Sequence, residues 1–328
     1  MRRRYFFALL GVAAAWPLGL RAQQAKARRI GTVETASASD PMIRRGWQVF
    51  VDDLRERGWE EGRNGVFERR HAGSDPARYP DLAAELIALN VDVIVVPNTQ
   101  AAAAARSKTT TIPIIVVGVA DPVGSGLVAS LARPGGNITG LANQIEIVSA
   151  KNFELLKECK PGIKRVGIMF SPNNTPSANT AKTMQEDLGP HLGLTVVPIG
   201  VTKPEDLADA FAMIIREHLE ALLVLPVPVV FGNRSKIVDF TLQQRLPLLS
   251  PVSNYVREGF LMSYGFDNRG TWARAGSYVD RILRGANPAE IPVEQVDRFQ
   301  LVINQKTART IGLELPQAVI ARAEEVIE

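Results

Sequence analysis

The feature that most constrains the fold is a repeated alternation of short apolar runs with segments of helical period. VDVIVVP at residue 91 and IPIIVVGV at residue 112 are continuous β-branched runs, as expected for strands buried on both faces of a parallel sheet. The alanine-rich segment QAAAAARSKTT between them has high helix propensity. Together with IGTV at residue 30 and VFERR at residue 66, these runs predict a β-α-β-α-β-α-β array.

A second array follows the same plan further along the chain. Its strand-like runs are RVGIMF at residue 165, LTVVPI at 194, ALLVLP at 221 and LPLLS at 246. A chain of 328 residues also exceeds the usual size of one hydrophobic core. We therefore predict an α/β fold of two doubly wound parallel-sheet lobes.

The segment after residue 250 determines how the lobes are joined. It contains a strand-like run, EGFLMSYGF, and an amphipathic helix that stops at Gly285. A strand and a helix after a complete second array would be supernumerary there, so we expect them to return to the first lobe. The Gly- and Pro-rich segment 121–144 predicts another crossing, and several crossings make a hinge. The expected lobes are residues 28–144 plus about 258–292, and residues 145–257 plus about 293–328.

The first residues, MRRRYFFALLGVAAAWPLGLRAQQ, have the layout of a secretory signal. An arginine cluster precedes an apolar stretch that is too short for a stable membrane span. We predict a signal peptide over residues 1–22 and a periplasmic location, with Arg3 and Arg4 hinting at the twin-arginine route. Cys159 is the only cysteine, which excludes an intrachain disulfide.

The charge balance argues against a nucleic-acid partner. The whole chain carries a net charge of +4, but four of its 38 basic residues and none of its acidic residues lie in residues 1–22. Without that segment, 34 basic residues face 34 acidic ones. A neutral mature protein lacks the electrostatic attraction that DNA, RNA or an anionic membrane requires.

A competing motif is the run from Gly124 to Ala129, which matches the dinucleotide-binding fingerprint G-x-G-x-x-A. Asp121 and Pro122 separate the preceding strand from these glycines, and Pro134 would end any following helix within about two turns. No strand ends in an acidic residue about 20 positions downstream, where a ribose would need it. An NAD(P)-dependent oxidoreductase is therefore a disfavoured alternative.

No other pattern points to catalysis. His71, His191 and His218 lie far apart and show no metal-ligand spacing. The sequence has no G-x-S-x-G elbow, and Cys159 has no nearby histidine. We expect no catalytic residue, no metal and no cofactor.

The remaining candidates are polar residues at the carboxyl ends of the predicted strands, where open α/β sheets bind their ligands. We predict that the ligand contacts Glu34, Thr35, Asn98, Thr99, Gln100 and Asp121 from the first array, Ser171, Asn173, Pro226 and Val227 from the second, and Tyr264 and Asp267 near the returning strand.

Several motifs together carry a resemblance to a known family. They are DPVGSGLVASLARPGGNITGL, ELLKECKPGIKRVGIM, GFLMSYG, YVDRILRGANPAEIPVEQ and INQKTARTIGLELP. In combination they resemble the ABC-transporter substrate-binding family that includes the tryptophan/tyrosine-type binding proteins, over essentially all of residues 29–328. The resemblance implies a type I periplasmic-binding-protein fold that encloses its ligand between two lobes and is recognised by an ABC permease. It also implies ligand contacts at Glu34 and Thr35, at Thr99 and Gln100, at Asp121 and in the loop after Pro226.

One departure from the family pattern bears on the ligand. Amino-acid-binding members tend to carry an Asp-Asn pair in the second-lobe loop, where this chain has Pro226-Val227-Pro228-Val229. A buried ammonium group needs a counter-charge, so the departure favours another organic acid or aromatic compound. We expect a monomer that binds a small anionic or aromatic solute for an ABC importer. A sensory module that reports ligand binding to a receptor remains open.

Overall fold

The computed structural model of the protein describes residues 27–328, and the predicted signal segment lies outside the described residues. The strands are β1 (Arg28–Glu34), β2 (Gly65–His71), β3 (Val93–Val96), β4 (Ile114–Ala120), β5 (Ile138–Asn143), β6 (Arg165–Phe170), β7 (Thr195–Gly200), β8 (Leu222–Val224), β9 (Leu248–Leu249), β10 (Met262–Phe266), β11 (Glu294–Gln295), β12 (Phe299–Asn304) and β13 (Glu325–Ile327).

The α-helices are α1 (Pro41–Glu56), α2 (Tyr79–Ala88), α3 (Thr99–Lys108), α4 (Ile145–Cys159), α5 (Thr175–Thr183), α6 (Gly189–His191), α7 (Asp206–Arg216), α8 (Pro228–Gly232), α9 (Arg234–Gln243), α10 (Asn268–Leu283), α11 (Gln305–Ile311) and α12 (Gln317–Ile320). Short 3₁₀ turns connect several elements, of which Ser253–Glu258 matters for the site. No helix within residues 27–328 has both the length and the apolar character needed to cross a membrane.

The strands form two sheets, one in each lobe. The first sheet has the order β11-β5-β4-β3-β1-β2, and the second has the order β13-β12-β10-β9-β8-β6-β7. The strand pairs are parallel, apart from the antiparallel pair of β10 and β12. Two parallel-sheet α/β lobes confirm the predicted fold class.

The apolar runs form strands because both faces of each sheet are covered. In β3, Val93 and Val95 face a cluster with α1 and α10, whereas Ile94 and Val96 face a cluster with α2 and α3. All four side chains are fully buried. The continuous β-branched sequence therefore satisfies two cores at once, as parallel sheets require.

The chain passes between the lobes at three places, near residues 143–145, 266–268 and 296–299. The first crossing is shorter than the Gly/Pro-rich segment predicted for it. Residues 121–133 form turns on the first lobe, and residues 138–143 form β5 of the first sheet. Only residues 143–145 then connect β5 to α4, so the turn chemistry of this segment serves the lobe rather than the hinge.

The expectation that residues 258–266 return to the first lobe is corrected by the sheet order. β10 lies inside the second sheet, between β9 and β12, and is almost fully buried. The second array was not complete at β9, because β9 pairs with β8 on one side only and its other side is open to β10, which continues the sheet. The following helix, α10, does pack on α1 of the first lobe. β11 extends the first sheet as far as Gln295, slightly beyond the expected boundary at about residue 293.

Candidate functional site

A cavity of about 550 Å³ lies between the two lobes. It is bounded by the carboxyl ends of β1, β3 and β4 on the first lobe and of β8 on the second. This is the edge at which open α/β sheets bind ligands. The N-termini of α1, α3 and α10 from the first lobe, and of α5 and α8 from the second, also reach its wall.

The structure brings seven of the twelve predicted site residues to the wall of this cavity. They are Glu34, Thr35, Asn98, Thr99, Pro226, Val227 and Asp267. All seven lie at the carboxyl end of a strand or within three residues of it, which is where the strand-end rule expects ligand contacts. The loop of Pro226 and Val227 contributes aliphatic side chains to the cavity wall, although Val227 is only 2 % exposed.

The structure places the other five predicted residues outside the cavity wall. Ser171 is buried and its backbone N-H donates to the Ser177 hydroxyl. Asp121 lies beside a separate pocket of about 300 Å³ and accepts a hydrogen bond from the backbone of Gly124. Tyr264 packs against Phe299 inside the second lobe.

Gln100 and Asn173 meet each other across the lobes instead of facing the cavity. The Gln100 side-chain amide lies 3.5 Å from the carbonyl oxygen of Asn173. Gln100 already belongs to α3, whose rotation turns it away from the wall that Asn98 and Thr99 line. These two residues therefore mark where the lobes touch.

Asn98 and Thr99 shape the first-lobe wall through internal hydrogen bonds. Asn98 caps α3, because its Oδ1 accepts from the backbone N-H of Ala101 at 2.9 Å, and its Nδ2 donates to the Tyr79 hydroxyl at 2.8 Å. The Thr99 hydroxyl bridges to the backbone of Ala120 at the end of β4. Both side chains hold the helix N-terminus against the sheet edge.

Glu34 is a buried carboxylate with a dedicated partner. It is 2 % exposed, and its two oxygens accept hydrogen bonds of 2.7 and 2.8 Å from Nε and Nη2 of Arg69. The guanidinium of Arg69 lies 4.1 Å from the ring centroid of Trp47. A bidentate pair of this kind fixes both side chains, and it presents Trp47 to the cavity on a rigid support.

Five aromatic side chains on the wall were not among the predicted site residues. Trp47 and Trp272 come from the first lobe, and Phe231, Tyr255 and Phe266 from the second. Trp47 and Trp272 are half-buried and belong to helical stripes that predict core packing, which is why the sequence did not single them out. Trp272 packs over α1 where Gly46 has no side chain, since a Cβ there would lie 3.2 Å from the indole ring.

Tyr255 offers a neutral hydroxyl within this apolar wall. The residue is 1 % exposed, and burial raises the pKa of its hydroxyl well above the usual value. The group therefore stays protonated and can donate a hydrogen bond to a ligand.

Three arginines lie on the wall, at or near the surface. Arg257 pairs with Glu325 at 2.6 Å. Arg45 on α1 and Arg269 on α10 form no ion pair with any carboxylate of residues 27–328. Because helix N-termini also converge here, the first-lobe side of the cavity favours negative charge.

A buried ion pair joins the lobes outside the cavity wall. Arg234 of α9 is 6 % exposed and donates to Glu258 of its own lobe at 2.6 Å and to Asp40 of the first lobe at 3.0 Å. The other oxygen of Asp40 caps α1 by accepting from Met42 and Ile43. Nearby, Gly232 touches Ser74, where a Cβ on the glycine would lie 2.1 Å from the serine hydroxyl oxygen. The two lobes therefore contact each other at two neighbouring places, through Arg234 and Asp40 and through Gly232 and Ser74.

The motifs that suggested other chemistry take different structures. The glycines at 124 and 126 form turns held by Asp121, and residues 127–133 form no helix, so no helix N-terminus is available for a pyrophosphate. Within residues 27–328, no cluster of histidine, cysteine and carboxylate side chains could hold a metal ion. Burial raises the pKa of the Cys159 thiol to about 11, so it is not an activated nucleophile.

The sequence as a whole matches a family model described as ABC transporter substrate binding protein, over residues 35–327. The chain belongs to this family. It is a family of substrate-binding proteins and not of enzymes, in agreement with the resemblance seen in the sequence motifs. A tyrosine-binding protein of Clostridioides difficile (strain R20291) is 25% identical over 280 residues, which cover 84% of this chain and 78% of that protein.

Several solved structures share the fold of this chain. A conserved domain protein from Vibrio cholerae O1 biovar El Tor is 29% identical, with a TM-score of 0.85, and the match covers 92% of this chain and 100% of that one. An ABC domain from Streptococcus pneumoniae in complex with L-Trp is 24% identical, with a TM-score of 0.84 and the same coverage. The fold of this chain is thus of the type I periplasmic-binding-protein kind.

Proposed function

We propose that this protein is the periplasmic ligand-capturing component of an ABC importer. It acts as a monomer that closes its two lobes over a small organic solute, either aromatic and amino-acid-like or an organic acid. The observation that carries this proposal is the cavity itself, which is walled from both lobes at the carboxyl ends of two parallel sheets.

The size and lining of the cavity suit a small aromatic molecule. A volume of about 550 Å³ falls within the range of small-molecule sites. The five aromatic side chains provide apolar walls, and the strand-end polar groups can fix the orientation of a ligand. Relatives named for tyrosine binding and for a complex with L-Trp support an aromatic ligand.

The three chain crossings support a mechanism of hinge closure. A ligand that contacts both walls stabilises the closed state by the contacts that the open state lacks. The permease of the importer would then recognise the closed form. The predicted export signal and the family membership support the periplasmic location and the permease partner.

A ligand screen tests the proposal. The chain without residues 1–22 is unfolded and refolded to remove carried-over ligand, then heated with aromatic amino acids, aromatic acids and other organic acids. We expect at least one of these classes to raise the melting temperature, and small-angle scattering to show a more compact particle with that ligand. A folded protein that binds none of these ligands at millimolar concentration would contradict the proposal.

Uptake measurements test the importer role. Deletion of the gene should abolish uptake of the radiolabelled ligand, and re-expression of the protein should restore it. If uptake persists and only a transcriptional response to the ligand disappears, the protein is a sensory module instead.

A further inference from the structure

The ionisable groups around the cavity indicate the charge of the ligand. We propose that the cleft selects aromatic carboxylates that carry no α-ammonium group. Its buried carboxylate is paired with Arg69, while Arg45 and Arg269 at its wall have no carboxylate partner within residues 27–328. This inference rests on the proposed function and narrows it to one ligand class.

The buried carboxylate of the wall already has a cationic partner. Both oxygens of Glu34 are held by the Arg69 guanidinium in a bidentate pair, and the His71 ring lies 3.4 Å from one of them. Arg69 is held in turn by its stacking on Trp47. An ammonium group would have to compete with an arginine that is already in place, and a desolvated ammonium without its own counter-charge is costly.

The other two carboxylates of the wall are also engaged. Glu325 pairs with Arg257 at 2.6 Å. Asp267 caps α10, because its Oδ1 accepts from the backbone N-H of Arg269 at 2.9 Å. The second oxygen of Asp267 accepts no hydrogen bond from residues 27–328, and it lies next to the N-terminus of a 16-residue helix that already stabilises its charge.

Two cationic groups of the wall have no partner of opposite charge within residues 27–328. Arg45 and Arg269 line the cavity without a carboxylate partner among residues 27–328. Arg269 lies in the first turn of α10 and Arg45 in the second turn of α1, so the helix N-termini and the side chains present positive charge on the same side of the cavity. The protonated hydroxyl of Tyr255 adds a donor from the second lobe. A carboxylate satisfies these donors, whereas an ammonium group does not.

Matched ligand pairs test the inference. Calorimetry on the refolded chain compares L-tryptophan with indole-3-propionate, L-tyrosine with 3-(4-hydroxyphenyl)propionate, and L-phenylalanine with 3-phenylpropionate. Each pair differs only in the α-ammonium group. We expect the deamino acid to bind about tenfold more tightly, or better, in at least one pair.

The outcomes separate this inference from the proposed function. If the amino acid binds as tightly as its deamino analogue, or more tightly, in every pair that binds, the inference is overturned and the binding function stays intact. Failure of both members of every pair, together with failure of the broader screen, overturns both.

Arginine variants test the anion-binding side. Arg45→Gln and Arg269→Gln should each weaken binding of the preferred carboxylate about tenfold, while binding of the corresponding neutral amide changes less than twofold. Arg44→Gln is the matched control, because Arg44 is exposed on the same helix but does not line the cavity. Equal losses for carboxylate and amide would contradict the assignment, since they would indicate a structural effect.

Asp267 tests the remaining route for an ammonium group. Asp267→Asn keeps the helix cap and removes the negative charge, so binding of the carboxylate should tighten by about two- to fivefold. A variant that instead loses affinity for an amino acid much more than for its deamino analogue would identify Asp267 as an ammonium ligand and overturn the inference.

Discussion

The two walls of the cleft differ in chemistry although the two sheets that carry them are alike. The first-lobe wall holds Arg45 and Arg269, which are unpaired in the described chain, and the carboxylate of Glu34, which Arg69 fixes from behind. It also holds Trp47 and Trp272. The second-lobe wall is mostly aliphatic and aromatic, and its charged residues, Arg257 and Glu325, pair with each other.

This difference suggests a division of labour between the lobes. A rigid, polar and aromatic wall can hold a ligand before closure, because its groups are positioned within one lobe. An apolar wall becomes effective when it covers the ligand and excludes water. We therefore expect the first lobe to dominate initial binding and the second lobe to control how long the ligand stays.

The largest expected effect comes from replacing aromatic residues of the two walls, which tests the proposed difference between the lobes. Trp272→Ala removes first-lobe aromatic surface and should weaken binding by about 2 kcal/mol, roughly thirtyfold, with slower association. Phe231→Ala in the second lobe should cost less and act mainly through faster dissociation. Stopped-flow fluorescence with the best ligand separates the two rate constants.

The control for these variants is Trp59→Ala. Trp59 is a first-lobe tryptophan that does not line the cavity and bonds to Asp280 at 2.8 Å. Its replacement should lower thermal stability and leave affinity unchanged. If Phe231→Ala slows association as much as Trp272→Ala does, the proposed division between the lobes is wrong.

Much of the fold could be predicted because burial on both faces leaves a local signature. The β-branched runs at β3 and β4 are continuous since each side chain meets a core. The position of β10 could not be predicted in this way, because β10 lies between β9, which precedes it in the chain, and β12, which follows only after α10 and β11 of the first lobe. Strand order among similar apolar runs depends on such distant pairings and not on local sequence.

The site residues also fall into those that the local sequence predicts and those that depend on distant contacts. Glu34, Asn98 and Pro226 were predictable since they lie at or just beyond the carboxyl ends of strands, and these ends share one edge in a parallel sheet. Trp272 and Arg45 were not, because they reach the cavity from helices, where an apolar stripe indicates core and a charge indicates solvent. What places them is the packing of α10 on α1 across Gly46, a contact between residues distant in sequence.

A second prediction tests whether tight ligand binding requires the two lobes to come into contact. Gly232→Ala should weaken ligand binding about tenfold, because its Cβ would clash with Ser74 and oppose closure. Ser74 has a φ of 67°, so Ser74→Gly is compatible with its backbone and removes the clashing side chain. The double variant Gly232→Ala/Ser74→Gly should recover most of the affinity.

Calorimetry and small-angle scattering measure this effect. The single variant Gly232→Ala should also remain more extended with ligand than the parent protein. A double variant that binds no better than Gly232→Ala alone would show that the alanine acts within the second lobe and not at the contact with the first.

The smallest expected effect concerns the ion pair that joins the walls. Asp40→Asn keeps the cap on α1, since asparagine caps as well as aspartate, but it removes the charge that faces Arg234. Arg234 retains Glu258 in its own lobe, so the folded lobes should be almost as stable as before. The closed state alone loses a charge-assisted hydrogen bond, and binding should weaken about three- to tenfold for every ligand, charged or neutral.

Asp75→Asn is the matched control, because Asp75 caps a short turn of the same lobe and forms no ion pair within residues 27–328. Equal affinity of the Asp40→Asn and parent proteins would mean that the contact between the walls is held by shape, through residues such as Gly232 and Ser74, and not by charge.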